Sequence, residues 1–558
     1  MKKTLLVTVA VLFGVALNAQ ISTWDGTAES WTKGSGTAED PYLIESAQNL
    51  AYLAQQVNAM NTHTGNYFDV FADTWFLLTT DLDLGGNEGL LWTPIGKDIV
   101  ANGIKTDFAG HFDGGDHTIY NMSIVAPENK KNSSFGLFGN AIGGSIKNIT
   151  MASNCDVDIQ YPILYYQAGV SVGSVLGFGR EVVLENCVNY GMVRADVGYT
   201  YLSLSCGGLF GSVNLNSTIL NSHNYGDVYC RGAVDYGALS PAGVVSYADG
   251  CDIIGCSNSG NITCIKSDFG LQERGLTAGG IVGVARGDCG VERCYNIGTL
   301  HVEEEYGQTD IPTSCGGIVG CSYTGPISLS LLIKNCYSVA DISAINDNTD
   351  NKGNYAGGIL GGTYGYHLNG GIYTTDITIE NCYFVGDVTA DTIGGICAKE
   401  GALICSKSSL VTNSYYINAI ENSNDYGSPM SDEFMKSKDF VDILNAEEIV
   451  FFVDDNNVNN GYPVFAIGNQ DFVGDITTTN NNVILYPNPA IDYIKIELSD
   501  NSSCQSIEIY SIDGRLVETF PETSSQPTIK IANLTSGVYI VKVKLSDGKE
   551  YAERIIKE

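Results

Sequence analysis

The chain has 558 residues, 44% of them hydrophobic, and carries a formal net charge of −34 at pH 7. That length suffices for several domains and a large core. So acidic a surface repels nucleic acid and anionic membranes; it attracts cations, Ca2+ among them, but the charge is read first as solubility.

Met1-Lys2-Lys3 leads into an apolar run at 5–17 and then Asn18-Ala19-Gln20. This reads as a secretory signal peptide, residues 1–19, cleaved after Ala19. The run is too short for a permanent membrane span, and nothing else in the sequence approaches one. Its removal takes two lysines, so the mature charge becomes 27 − 63 = −36. Ser46 then caps a predicted helix with Leu50, Leu53, Ala54 and Val57 on one face. Residues 75–84 read as a strand, and 108–119 as a hairpin around Asp113-Gly114-Gly115. Residues 20–134 are expected to be an N-terminal cap with the first irregular coils, because a repeat stack must cover its end.

From 135 to 420 the chain repeats at intervals of roughly 33–46 residues. Gly-Gly-aliphatic segments recur at 207–211, 279–283, 316–320, 357–361 and 394–396. Each copy goes on to Asn-Cys or a relative, as in Asn186-Cys187, Asn221-Ser222, Arg293-Cys294, Asn335-Cys336 and Asn381-Cys382. An aliphatic stands three residues before each Cys or Ser, from Leu184 and Ile219 to Ile379 and Val411. These segments are short, β-branched and bounded by Gly, and no copy has room for a helix. Each copy is therefore predicted to be a coil of three short strands, stacked in parallel about 4.8 Å from the next. The fold class that follows is all-β: a parallel β-helix, or β-solenoid, of about eight coils with end caps. A propeller is the weaker rival, since a blade needs four strands. Asn186, Asn221, Asn335, Asn381 and Asn413 are expected to form an amide ladder at a bend.

Sixteen cysteines in an exported chain raise the question of disulfides. Yet Cys187, Cys256, Cys294, Cys336 and Cys382 share one column in which Ser also occurs. A residue exchangeable with Ser fills a small slot, so most are expected to be buried thiols. Cys251 with Cys289 and Cys230 with Cys264 are the candidates for cross-coil bridges.

Insertions cluster after the third strand and after the first, so they project from matching sides of the stack. They carry many tyrosines, and Tyr236, Tyr306, Tyr364, Tyr366 and Tyr373 are the candidate binding residues. Residues 421–470 are predicted to be a C-terminal cap plugging the far end, with a helix at 431–445 and a strand at 449–453. A polar linker, 471–482, separates it from a small β-sandwich at 483–558, whose alternation is clear at 494–498, 507–510 and 538–543.

Chemistry is sought and no catalytic or metal-ligating residue is assigned. Gly169-Val170-Ser171-Val172-Gly173 matches a nucleophile elbow, but a strand follows it rather than the helix that motif needs. The six histidines show no metal spacing, and no cofactor site is read. Asp341 and Asp387 share a column and would lie about 5 Å apart, near the separation retaining glycosidases use; their alternation with inward aliphatics has them facing solvent. Asp81 and Asp83 share a strand face and are assigned to the cap.

Two resemblances follow from these residues. The Gly-Gly-Leu-Phe-Gly type segment with Ile-x-Asn-Cys-Tyr and Gly-x-Val resembles the GLUG motif of bacterial surface proteins. That resemblance implies an adhesin-like surface role without catalytic residues. Tyr486-Pro487-Asn488-Pro489, then Asp513-Gly514-Arg515, then Gly537-Val538-Tyr539 resemble the C-terminal sorting domain of type IX secretion substrates in Bacteroidetes. That one implies passage from the periplasm to the outer-membrane surface or the medium, with the type IX machinery as partner. Two function classes stay open: a non-catalytic surface solenoid binding a glycan or a host or cell-surface protein through its insertions, and a β-helical polysaccharide lyase or glycoside hydrolase.

Overall fold

A computed structural model describes residues 22–465 and 483–557, apart from internal stretches of which 60–70, 399–409, 268–275 and 305–312 are the longest. The expected leader and the linker lie outside the described residues. From residue 134 to 398 the chain winds as a parallel β-solenoid whose strands align in sheets of nineteen, eight, eight and seven.

One coil shows the plan: Thr277–Gly279, Val282–Arg286, Cys289–Glu292, Tyr295–Asn296 and Leu300–Glu304. The expectation of three strands per coil undercounts. The Gly-Gly segment is two strands, on a first and a second face, joined by a bend. A Cβ on Gly279 would sit 1.8 Å from the Val282 carbonyl oxygen, and one on Gly280 2.0 Å from that of Gly317, so only glycine turns here. The third face is broken by a second bend, and Leu300–Glu304 forms the fourth.

Several first-face strands are buried along their whole length, as are Leu204–Gly207 and Ser314–Gly316. Cys206 Sγ lies 3.8 Å from the Tyr229 carbonyl oxygen on the fourth face, while Ser171 Oγ lies 3.0 Å from Ser212 Oγ on the second. Small residues recur in these segments, as Ser205, Cys206 and Gly207 and as Ser314, Cys315 and Gly316 show.

The bend in the third face is left-handed. Asn148, Asn186, Asn221, Arg293, Asn335, Asn381 and Asn413 all have φ between 44° and 55°, a region asparagine tolerates better than other side chains. The amide ladder is present in segments: Asn186 Nδ2 donates to Asn148 Oδ1 at 2.8 Å, and Asn381 Nδ2 to Asn335 Oδ1 at 2.7 Å. Gly255 and Arg293 interrupt it. The next column explains why Cys and Ser interchange. The backbone N–H of Cys256 donates to Cys294 Sγ, Cys294 to Cys336 Sγ and Cys336 to Cys382 Sγ, each at 3.4 Å. At the two ends Cys187 and Cys382 donate instead to Ser222 Oγ and Ser414 Oγ at 3.2 Å. The column needs a small acceptor, and either atom serves.

A further ladder runs through the interior. Asn189, Asn224, Asn258 and Asn296 are all fully buried. Nδ2 of each of the first three donates to Oδ1 of the next, at 2.8, 2.8 and 2.7 Å. The same nitrogens reach the carbonyls of Gly191, Gly226 and Gly260, closing the turn into the fourth face. Buried amides are tolerated because each is bonded on both sides.

The ends depart from the repeat. The helix α1, Ala47–Ala59, buries Leu50, Leu53, Ala54 and Val57 against the first coils, as expected. The strand expected at 75–84 is split into Trp75–Leu78 and Leu82–Asp83. The hairpin expected at 108–119 is instead one strand, His111–Tyr120, parallel to its neighbours. Asp113-Gly114-Gly115 makes a bulge there, with Asp113 Oδ1 accepting from the Gly115 N–H at 2.9 Å, so a turn signature marks a kink and no reversal. In the segment after the last coil Tyr426 packs against the solenoid core, while 421–425 and 466–470 lie outside the described residues. Ser428–Met430 adds one strand beside Tyr415–Ile417. Helices α2, Asp432–Met435, and α3, Lys438–Leu444, then fold over the flank. There Met435, Phe440, Val441, Phe451 and Phe465 cover the stacked rings of Tyr295, Tyr337 and Tyr383.

Residues 483–557 form antiparallel sheets of three and four strands around Ile494, Ile496, Ile507, Ile509, Val541, Val543 and Ile555, a small β-sandwich.

Candidate functional site

The longest insertion among the candidates builds a structure of its own. Tyr366–Leu368 and Gly371–Tyr373 pair antiparallel, with Tyr366 opposite Tyr373 and Leu368 opposite Gly371. This ribbon leaves the stack between the second-face strand Leu360–Tyr364 and the third-face strand Thr375–Glu380. Opposed residues of an antiparallel pair lie on one face, about 5 Å apart. Tyr364 ends the strand from which the ribbon departs, in register with Tyr323, and Tyr323 is in register with Arg286. Three of the five candidate tyrosines are therefore placed together; Tyr236 and Tyr306 lie outside the described residues.

Arg286 and Tyr323 were not singled out from the sequence. Their signal is positional: Arg286, Tyr323 and Tyr364 each stand seven residues after the first glycine of their Gly-Gly pair, Gly279, Gly316 and Gly357. Arg286 is held by Asp249 at 3.1 Å and by the Tyr247 hydroxyl at 3.4 Å, both on the preceding coil. Along the second face, Arg286, Tyr323 and Tyr364 thus hold successive register positions that lead to the hairpin.

The carboxylates considered for catalysis have structural partners. Asp341 Oδ1 accepts from the backbone N–H of Asp387 at 2.9 Å, and Asp227 Oδ1 does the same for Asn261 at 2.9 Å. In this exposed column a side-chain oxygen thus caps the amide of the next coil. Asp81 Oδ1 takes the Thr118 N–H and the His117 ring, both at 3.0 Å, and Asp83 takes the Gly85 N–H at 2.8 Å and Asn121 Nδ2 at 3.0 Å. Among the described residues no cluster of three or more His, Cys, Asp or Glu is arranged to hold a metal. Ser171 lies mid-strand in Val170–Val172, and the strand Leu176–Arg180 follows.

The fifteen described cysteines are all buried, and Cys230, Cys251, Cys264 and Cys289, the candidates for bridges, are thiols; Cys405 lies outside the described residues. Cys230 and Cys264 are register partners without a disulfide between them. Burial pushes the Cys155 and Cys187 thiols up to about 12 and Cys289 to about 11. Thiols so placed are poor nucleophiles.

In the C-terminal sandwich Tyr486 ends the strand Val483–Tyr486. Gly537 and Tyr539 lie on Gly537–Leu545, with Tyr539 between Ser511 and Ile555. Pro487, Asn488, Pro489, Asp513, Gly514 and Arg515 lie outside the described residues.

Known proteins resemble parts of this chain. Halomucin of Haloquadratum walsbyi is 28% identical over 231 residues, 38% of this chain and 2% of that protein. Ulvan lyase NLR42 of Nonlabens ulvanivorans is 35% identical over 78 residues, 13% of this chain and 14% of the lyase. The chain thus spans a small part of either relative. An IgA1 protease structure superposes with a TM-score of 0.36 at 13% identity, over 92% of this chain and 35% of that one. Residues 484–558 match the family of secretion system C-terminal sorting domains, so this segment is a type IX sorting domain, and it directs the solenoid to the cell surface or the medium.

Proposed function

We propose that this protein is a non-catalytic, adhesin-like β-solenoid that binds a polysaccharide through the hairpin at 366–373 and the row Arg286–Tyr323–Tyr364 beside it. The observation that carries this reading is the hairpin register, which sets Tyr366 opposite Tyr373 on a ribbon inserted between two strands of one coil. Tyrosine suits recognition of a sugar, since its ring offers apolar area and its hydroxyl a hydrogen bond. A net charge of −34 favours an uncharged polysaccharide over a polyanion. In this account a leader peptide takes the chain to the periplasm, and the type IX machinery then exports it and removes the sorting domain.

The match to the ulvan lyase favours a second reading, in which the solenoid cleaves a polysaccharide. Affinity electrophoresis through gels cast with neutral and acidic polysaccharides tests the first. Retardation by a neutral polymer should be lost in the double variant Tyr366→Ala/Tyr373→Ala while far-UV circular dichroism is unchanged. Equal retardation of variant and wild type would remove the hairpin from the account, and shortening of the polymer would replace binding by chemistry.

A further inference from the structure

Among the described residues, Lys266 and Glu304 form the ion pair that the solenoid buries most deeply. Their side chains are 2% and 1% exposed, whereas other pairs on the described residues are half open, as Arg194 and Asp196 are at 35% and 23%. Both belong to the inward row of the fourth face. Ile262, Cys264 and Lys266 are the buried positions of Ile262–Lys266, and Leu300, Val302 and Glu304 those of Leu300–Glu304. The two residues are register partners on adjacent coils, and Lys266 Nζ is in hydrogen-bond contact with Glu304 Oε1. Gly232, the partner of Lys266 on the preceding coil, has no side chain, and a Cβ there would sit 2.4 Å from the Val197 carbonyl oxygen.

We propose that Lys266 and Glu304 are joined by an amide bond between Nζ and Cδ, a covalent rung between two coils. Two charges taken out of water are costly unless neutralised. Passing one proton from the ammonium to the carboxylate leaves an amine against a carboxylic acid. The nitrogen lone pair adds to Cδ, the Cδ–OH bond breaks, and the hydroxyl leaves as water with a proton from the nitrogen. Atoms and charge balance without oxidant or cofactor. Fixed neighbours react with effective concentrations of about 10^5–10^8 M, and the product is a neutral amide in place of a buried ion pair. The rung ties the strands from which the insertions at 268–275 and 305–312 depart.

Tryptic mapping of the full-length protein under denaturing, reducing conditions decides. An acylated Lys266 is not cleaved, so residues 232–274 should appear joined to 294–334 in a branched peptide about 18 Da, one water, below the sum of the two. Lys266→Met should release 294–334 as a linear peptide. Cleavage after Lys266 in the wild type, with 232–266 and 294–334 recovered separately at full mass, overturns the proposal whether or not the variant folds.

Discussion

Replacing Asn258 by Ala probes the interior ladder at its centre. Asn258 Nδ2 donates to the Gly260 carbonyl at 2.8 Å and to Asn296 Oδ1 at 2.7 Å, while its Oδ1 accepts from Asn224 Nδ2 at 2.8 Å. The side chain is fully buried, so water replaces none of these bonds. Three bonds at about 1 kcal/mol each, with two acceptors left short of a donor, give a loss of about 3–5 kcal/mol. Because a solenoid opens coil by coil, native-state hydrogen exchange is a better readout than a melting curve. The amides of Ser259, bonded to the Asn224 carbonyl, and Ile262, bonded to that of Thr299, report on the coil. Their exchange should accelerate by two to three orders of magnitude, at about 1.4 kcal/mol per tenfold. Asn261→Ala, on the exposed column, should change it by less than tenfold. If Asn258→Ala also stays within tenfold, the ladder is decoration and the coils are held by their apolar columns alone.

Other outcomes follow from the same structure. Cys294→Ser keeps an acceptor for the Cys256 N–H and should cost under about 1 kcal/mol, whereas Cys294→Leu overfills the column and should cost about 1–3 kcal/mol by local exchange. Thiol reagent should label almost no cysteine in the native protein and many after denaturation without reductant; labelling of one at most would establish disulfides in their place. The raised thiols of Cys155 and Cys187 stabilise the fold fully below pH 9.0, their ordinary value. That stability is lost as pH rises toward about 12, since only the unfolded chain ionises them readily; a denaturation midpoint constant from pH 8 to 11 would contradict this. Truncation at Asn482 should retain the protein in the periplasm, and normal surface delivery would disprove the role given to residues 484–558.

The repeat was legible because stacking puts like on like: aliphatic columns, the Cys/Ser column and the Asn bend all recur at fixed offsets. Strand number was not, since Gly279-Gly280 reads equally as a break within a strand and as a bend between two. The Asn189–Asn296 ladder was missed because a single inward polar residue breaks the apolar pattern; its signature, Asn two residues before Gly, is visible in hindsight at Asn189, Asn224, Asn258 and Asn296. Asp113-Gly114-Gly115 carries the residues of a reversal, and only the parallel neighbours on both sides make it a bulge. The flank packing of Phe440, Phe451 and Phe465 on Tyr295, Tyr337 and Tyr383 needs contacts across more than forty residues, which local pattern does not encode. At the site, tyrosines in insertions drew notice, while Arg286 and Tyr323 passed as ordinary repeat positions.

A polysaccharide array read for both retention and released product tests the central claim most directly. The account predicts that the full-length protein is retained on one or a few uncharged polysaccharides, releases no oligosaccharide, and loses retention when Tyr366 and Tyr373 are replaced by Ala. Release of shortened chains by the wild type, or undiminished retention of the double variant, would contradict it.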